Sequence, residues 1–223
     1  MFRLGSFNIV EILVRAVAVL LAISVHEMCH GLAAYLLGDK TAKAMGRLSL
    51  NPLRHLDPFG ALCLLLFGFG WAKPVMVNPM YFKKPKRDMA LVSLAGPLSN
   101  FILAFLSAVL LKLFTLTGYA YMSATSVLYM DSLPVEILVS FLTTFIALNI
   151  GLGVFNLIPI PPLDGSKILL PLLPHNLYMD IMRYEHLGWI VLMVALGLGV
   201  LDPIIGTAGG AVYKLLLFVV GVL

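Results

Sequence analysis

A chain of 223 residues that is 61% apolar, only 12% charged and +1.00 in mean hydropathy is not a soluble domain, because such domains carry about 25% charge. The net charge of +4 suits basic loops lying against anionic lipid, and no nucleic-acid-binding pattern accompanies it, so no nucleic acid partner is expected. Cys29 and Cys63 both sit in apolar runs, which argues against a disulfide framework.

The first apolar run covers residues 8–37, enough to cross a bilayer at about 20 residues per span. Arg3 ahead of it resembles a signal-peptide start, but the run is too long for one, so the segment is expected to be retained. Gly38-Asp39-Lys40 reads as its helix stop. Residues 39–57, with Lys40, Lys43, Arg47 and Arg54, form a polar connector whose Asn51-Pro52 and Asp57-Pro58 steps read as turns. A short apolar run at 58–72 follows. Residues 71–88 then combine Trp71 with Lys73, Lys83, Lys84, Lys86 and Arg87, and the positive-inside rule assigns 73–88 to the cytoplasm. Because 39–57 is nearly as basic, either 58–72 does not fully span or 39–57 is tucked against the bilayer. Spans are predicted at 89–117 and 135–158, a half-helix at 164–176, and further segments at 187–201 and 210–223. The chain therefore reads as one multi-pass domain over 1–223, with a core at 8–176 and C-terminal helices at 177–223.

Within the first run lies His26-Glu27-Met28-Cys29-His30, the pattern His-Glu-x-x-His. Residues i and i+4 share one helix face, so the two imidazoles can hold one zinc ion while the Glu acts as a base on water. An ionisable group near mid-bilayer costs about 2.5–3.5 kcal/mol on insertion scales, so a cluster there points to function. Catalytic zinc usually takes three protein ligands. The segment Asn156-Leu157-Ile158-Pro159-Ile160-Pro161-Pro162-Leu163-Asp164-Gly165 offers a third, since its prolines break an apolar helix just before a lone carboxylate. Asp164 reads either as the cap of a surface turn or as an inward-facing ligand, and the histidine pair favours the ligand.

Those two motifs together resemble the site-2 protease family of intramembrane zinc metalloproteases. Asn156, Pro159, Pro161, Leu163, Asp164 and Gly165 match the family's second motif in full. Ala95-Gly96-Pro97-Leu98-Ser99-Asn100 is similar to its Gly-Pro-x-x-Asn element. Leu50-Asn51-Pro52-Leu53-Arg54-His55-Leu56-Asp57-Pro58 resembles the segment after the first motif in the compact prokaryotic branch, which lacks a PDZ domain. The resemblance covers residues 22–168. It implies an all-α membrane bundle of about five to six transmembrane helices, with a small membrane-associated β element after the first helix. Residues 41–54 are the first choice for that element and 58–82 the second. It further implies one zinc ion per chain held by His26, His30 and Asp164, with Glu27 as general base and Asn156 holding the substrate backbone or the oxyanion. The expected activity is hydrolysis of membrane-spanning protein substrates within the bilayer, in a prokaryotic cytoplasmic membrane; oligomeric state stays open. The rivals are an inactive zinc-binding membrane chaperone or scaffold, for which Glu27 has no use, and a metal transporter.

His55 and Asp57 read either as support for the metal or a gate near its entrance, or as groups solvated at headgroup level. Gly96, Pro97 and Asn100 read as helix-packing residues, and Cys29 as a small buried packing residue near the metal-facing arc. His175, Glu185 and His186 read as interfacial.

Overall fold

The computed structural model describes residues 9–57, 60, 73–116, 120–122, 128–130, 133–174 and 185–221. Helix α1 (Ile9–Leu36) is followed by a single turn, α2 (Thr41–Ala44), then by the long α3 (Pro85–Leu116). A hairpin of β1 (Ala120–Met122) and β2 (Leu128–Met130), antiparallel, separates α3 from α4 (Leu133–Asn156). The short α5 (Asp164–Leu169), α6 (Glu185–Gly197) and α7 (Asp202–Val220) complete the order. Four of these, α1, α3, α4 and α7, are long and apolar enough to cross a membrane, which makes this a membrane protein. Of the five to six segments expected, 58–72 lies outside the described residues except for Gly60, and α6, at 13 residues, is shorter than a span.

The helices pack by small residues at four-residue spacing. On α1 the buried stripe runs Ala18, Ala22, His26, His30, Ala34; on α3 it runs Val92, Gly96, Asn100, Ala104, Ala108. Their pairing, His26 with Asn100 and His30 with Val92, sets the two stripes antiparallel. Small side chains above and below the polar ones let the backbones approach closely, which in lipid replaces the hydrophobic drive that water supplies. Larger apolar residues on both helices, such as Leu13, Val17, Ile102, Phe105 and Leu106, are exposed and form the lipid-facing surface. Next to the stripes, Leu142, Ile146, Ile150 and Val154 of α4 join Ala104, Ala108 and Leu216 in the main apolar cluster.

Helix α1 stops where Gly38 adopts φ +113°, a left-handed conformation that costs glycine little, and the Asp39 amide bonds back to the Ala34 carbonyl. The Asp39 carboxylate, fully buried, accepts from the Thr41 N–H (2.9 Å), the Thr41 hydroxyl (2.5 Å) and the Asn78 N–H (2.7 Å). It thereby ties residues 73–78 to the end of α1.

Among the described residues the small β element expected after the first helix is not supported; of its second candidate segment, 58–59 and 61–72 lie outside the described residues. Residues 41–44 are helical, and the Asn51-Pro52 and Asn78-Pro79 steps each open a 3-10 turn, Pro52–Arg54 and Pro79–Tyr81. In both, the Asn side chain accepts from the amide two residues on (3.1 Å), a local bond that competes with strand pairing. Proline adds to this by withdrawing an amide from any ladder. Among the described residues, the paired strands lie instead between α3 and α4.

Candidate metal centre

The two histidines are fixed by their own helix. Being four residues apart on α1 they face α3 together, 5% and 8% exposed, with ring centroids 4.6 Å apart and planes at 87°. Helix α3 makes room for them at Gly96: a Cβ there would lie 2.4 Å from His30 Nε2 and 2.7 Å from His26 Cε1. Pro97 follows, and because it lacks an N–H it loosens the α-helical ladder in the turn that also carries Val92. The Val92 carbonyl meets His30 Nδ1 at 2.7 Å.

Asp164 arrives from the opposite direction. After Asn156 the prolines prevent α4 from continuing, and the chain turns back through hydrogen bonds from Leu163 N–H to the Ile160 carbonyl and from Ser166 N–H to the Leu163 carbonyl. Gly165 permits the fold-back, since a Cβ would sit 2.2 Å from the Leu157 carbonyl oxygen. The Asp164 carboxylate consequently lies 3.2 Å from His26 Nε2 and 3.1 Å from His30 Nε2, while the two nitrogens are 3.0 Å apart.

The partners of the rings decide what those three atoms can do. Val92 offers His30 Nδ1 a carbonyl, which only accepts, so that nitrogen carries the proton and Nε2 is a bare lone pair. Asn100 Oδ1 does the same for His26 Nδ1 at 2.6 Å, leaving its Nε2 bare as well. With both rings neutral, two lone pairs and a carboxylate oxygen thus converge. Three donors about 2.0–2.2 Å from a tetrahedral zinc lie about 3.3–3.6 Å from one another, a little wider than the 3.0–3.2 Å seen here. The donor set fits zinc, and the backbone carbonyl and amide behind the rings are the partners that metal-bound histidines use.

Glu27 neighbours this cluster without joining it, and its Oε2 accepts from the Val75 N–H at 2.9 Å. Residues 73–78, anchored by Asp39, therefore pass over the carboxylate. Cys29 is outside the cluster, half-buried and free, while Cys63 lies outside the described residues. The Asn156 amide nitrogen donates to the Leu152 carbonyl (2.9 Å) on its own helix. His55 is buried rather than solvated, with Nε2 2.7 Å from the Ser49 carbonyl, and Asp57 accepts from the Gly60 N–H (2.8 Å); neither is in the cluster. His175 and the side chains of Glu185 and His186 lie outside the described residues.

Sequence reasoning placed Asn100 in helix packing and overlooked its contact with His26, as it overlooked Val92 and Val75. A usable signal existed for Asn100: a fully buried amide four residues beyond Gly96, on the same helix face, has to bond something. Backbone partners such as Val92 and Val75 leave no mark in a sequence.

Comparison with known proteins agrees with this picture. The family model described as Peptidase family M50 matches residues 14–198. A Bacillus subtilis protein named "Putative zinc metalloprotease YwhC" is 41% identical over 203 residues, covering 89% of each chain. Two mycobacterial proteins named Rip2 are also similar: that of Mycolicibacterium smegmatis at 28% identity over 79% of this chain, and that of Mycobacterium tuberculosis at 33% over 68%. This chain spans 64% and 54% of their respective lengths. No solved structure matches.

Proposed function

The chain belongs to peptidase family M50, the site-2 protease family of zinc metalloproteases, and on that premise we propose that it hydrolyses peptide bonds within or near the membrane-spanning segments of other proteins. The observation that carries this reading is the convergence of one ligand atom each from His26, His30 and Asp164, beside a Glu27 that lies outside the cluster. Those three residues would hold one zinc ion per chain, which would supply Lewis acidity to the scissile carbonyl and to the attacking water. Glu27 takes the proton from that water as its oxygen bonds the carbonyl carbon. The same carboxylate hands the proton to the departing amine as the C–N bond breaks. The Val75 N–H engages one oxygen of Glu27 and leaves the other for this transfer. Asn156 steadies the substrate backbone or the oxyanion through its second amide hydrogen, the first being spent on Leu152.

A substrate helix shields its own peptide bonds, so it must unwind before cleavage. Residues 73–78, which are not helical and run past Glu27, are the natural place for an extended substrate to lie. The whole of 1–223 acts as one multi-pass domain in a prokaryotic cytoplasmic membrane. The deciding experiment uses the chain purified in detergent, with zinc counted per chain and cleavage of a generic transmembrane substrate followed. Glu27→Gln should keep its zinc and lose turnover by about 10²–10⁴-fold, the usual contribution of a general base. His26→Ala should lose both. Turnover retained by Glu27→Gln would falsify the assigned base.

A further inference from the structure

We propose that Asn149 on α4 is a positioning residue that sets which nitrogen of His26 carries the proton, and so leaves a lone pair on the nitrogen facing the metal site; this rests on the reading of His26 as a zinc ligand. The Phe145 carbonyl can only accept, so the Asn149 amide turns its nitrogen toward it, 2.8 Å away. Asn149 Oδ1 is thereby directed at Asn100, whose amide nitrogen donates to it at 2.8 Å. Asn100 must then present Oδ1 to His26 Nδ1, 2.6 Å away, and an acceptor there holds the proton on Nδ1. A backbone carbonyl on one helix thus dictates, through two amides, that His26 Nε2 carries a lone pair.

The alternative arrangement is what makes this control necessary. With Asn100 reversed, Nδ1 would be the acceptor and Nε2 would carry a hydrogen directed at Asp164, 3.2 Å away. That bond would satisfy both groups and close the site to a cation. Asn100 and Asn149 are each fully buried, so a reversed amide leaves unpaired polar atoms in a medium without water. Asn149 makes reversal of Asn100 unfavourable.

The test measures zinc affinity of the full chain in detergent, by competition with a chromogenic chelator, alongside its thermal unfolding. Asn149→Leu is expected to weaken zinc about 10-fold, the lower end of the effect of outer-sphere partners. Asn149→Asp, whose protonated carboxyl donates to the Phe145 carbonyl and keeps an oxygen facing Asn100, should bind within about 3-fold of wild type. In the background Asn100→Asp both oxygens are alike and no orientation needs setting, so adding Asn149→Leu should cost under about 2-fold. A purely structural Asn149 would give the same loss in both backgrounds, which overturns the proposal, as does unchanged affinity in Asn149→Leu or a 10-fold loss in Asn149→Asp. Wild-type chain that binds no zinc defeats the ligand reading itself, a result separable from these.

Discussion

Gly96 stands against His30 so closely that a single methyl group would lie 2.4 Å from the ring nitrogen facing Asp164. Neither ring has freedom to yield, because His30 is held by Val92 and His26 by Asn100. Gly96→Ala should therefore abolish stoichiometric zinc binding. The same change favours the helix by about 0.5–1 kcal/mol, but overpacking against two rings that cannot yield costs about 1–3 kcal/mol, so the apo variant should also unfold somewhat sooner than wild type. Metal analysis paired with a melting curve checks both halves; wild-type zinc content in the variant would mean that the rings are not seated as described.

Asp164, the third member of the cluster, depends in the same way on Gly165, where a Cβ would approach the Leu157 carbonyl oxygen to 2.2 Å. Backbone cannot withdraw as a flexible side chain can, so Gly165→Ala should push Asp164 away from the histidines. Zinc affinity is expected to fall at least about 10-fold, toward that of Asp164→Ala. Cys29→Ala, by contrast, should leave zinc content unchanged, since Cys29 is not part of the cluster.

The convergence of His26, His30 and Asp164 was legible because each carries a local signature: four-residue spacing for the histidines, and proline breakage just before Asp164. The spans at α1, α3 and α4 were legible from apolar length alone, with ends within a few residues. Among the described residues the β element finds no support at 41–54 or 73–82, where Asn51 and Asn78, each before a proline, bond their own turns. Asn149 was illegible for a different reason. It is one amide in a long apolar run, and its meaning comes from contact with Asn100, 49 residues away in sequence.

Val75 offers a test of how Glu27 is held. Proline at this position has no N–H, so Val75→Pro removes the 2.9 Å bond to Oε2 without touching a metal ligand. Expected is a fall in turnover of about 10-fold with zinc retained, consistent with the net value of a charge-assisted hydrogen bond of about 1.5–3 kcal/mol. Val75→Ala keeps the N–H and should turn over substrate as wild type does. Equal activity in the two variants would show that the amide does not restrain Glu27.

Asp39 gives a prediction in pH. Burial pushes its carboxyl upward, but the Thr41 hydroxyl and the Asn78 and Thr41 amides outweigh that and hold it below its ordinary value of 3.8. A carboxyl lowered in the folded state contributes stability that is fully present above 3.8 and is lost as pH falls through the lower folded value. The tie between residues 73–78 and the end of α1 should consequently survive mild acid and release only below about pH 4. Asp39→Asn should mimic that release at neutral pH, because an amide replaces one acceptor oxygen with a donor that faces N–H groups. Hydrogen exchange at the Asn78 amide should quicken in the variant and become insensitive to acid after correction for intrinsic rates. Since residues 73–78 also reach Glu27 through Val75, turnover should fall with it while zinc content holds, and wild-type exchange at Asn78 in Asp39→Asn would show that the carboxylate is not the anchor.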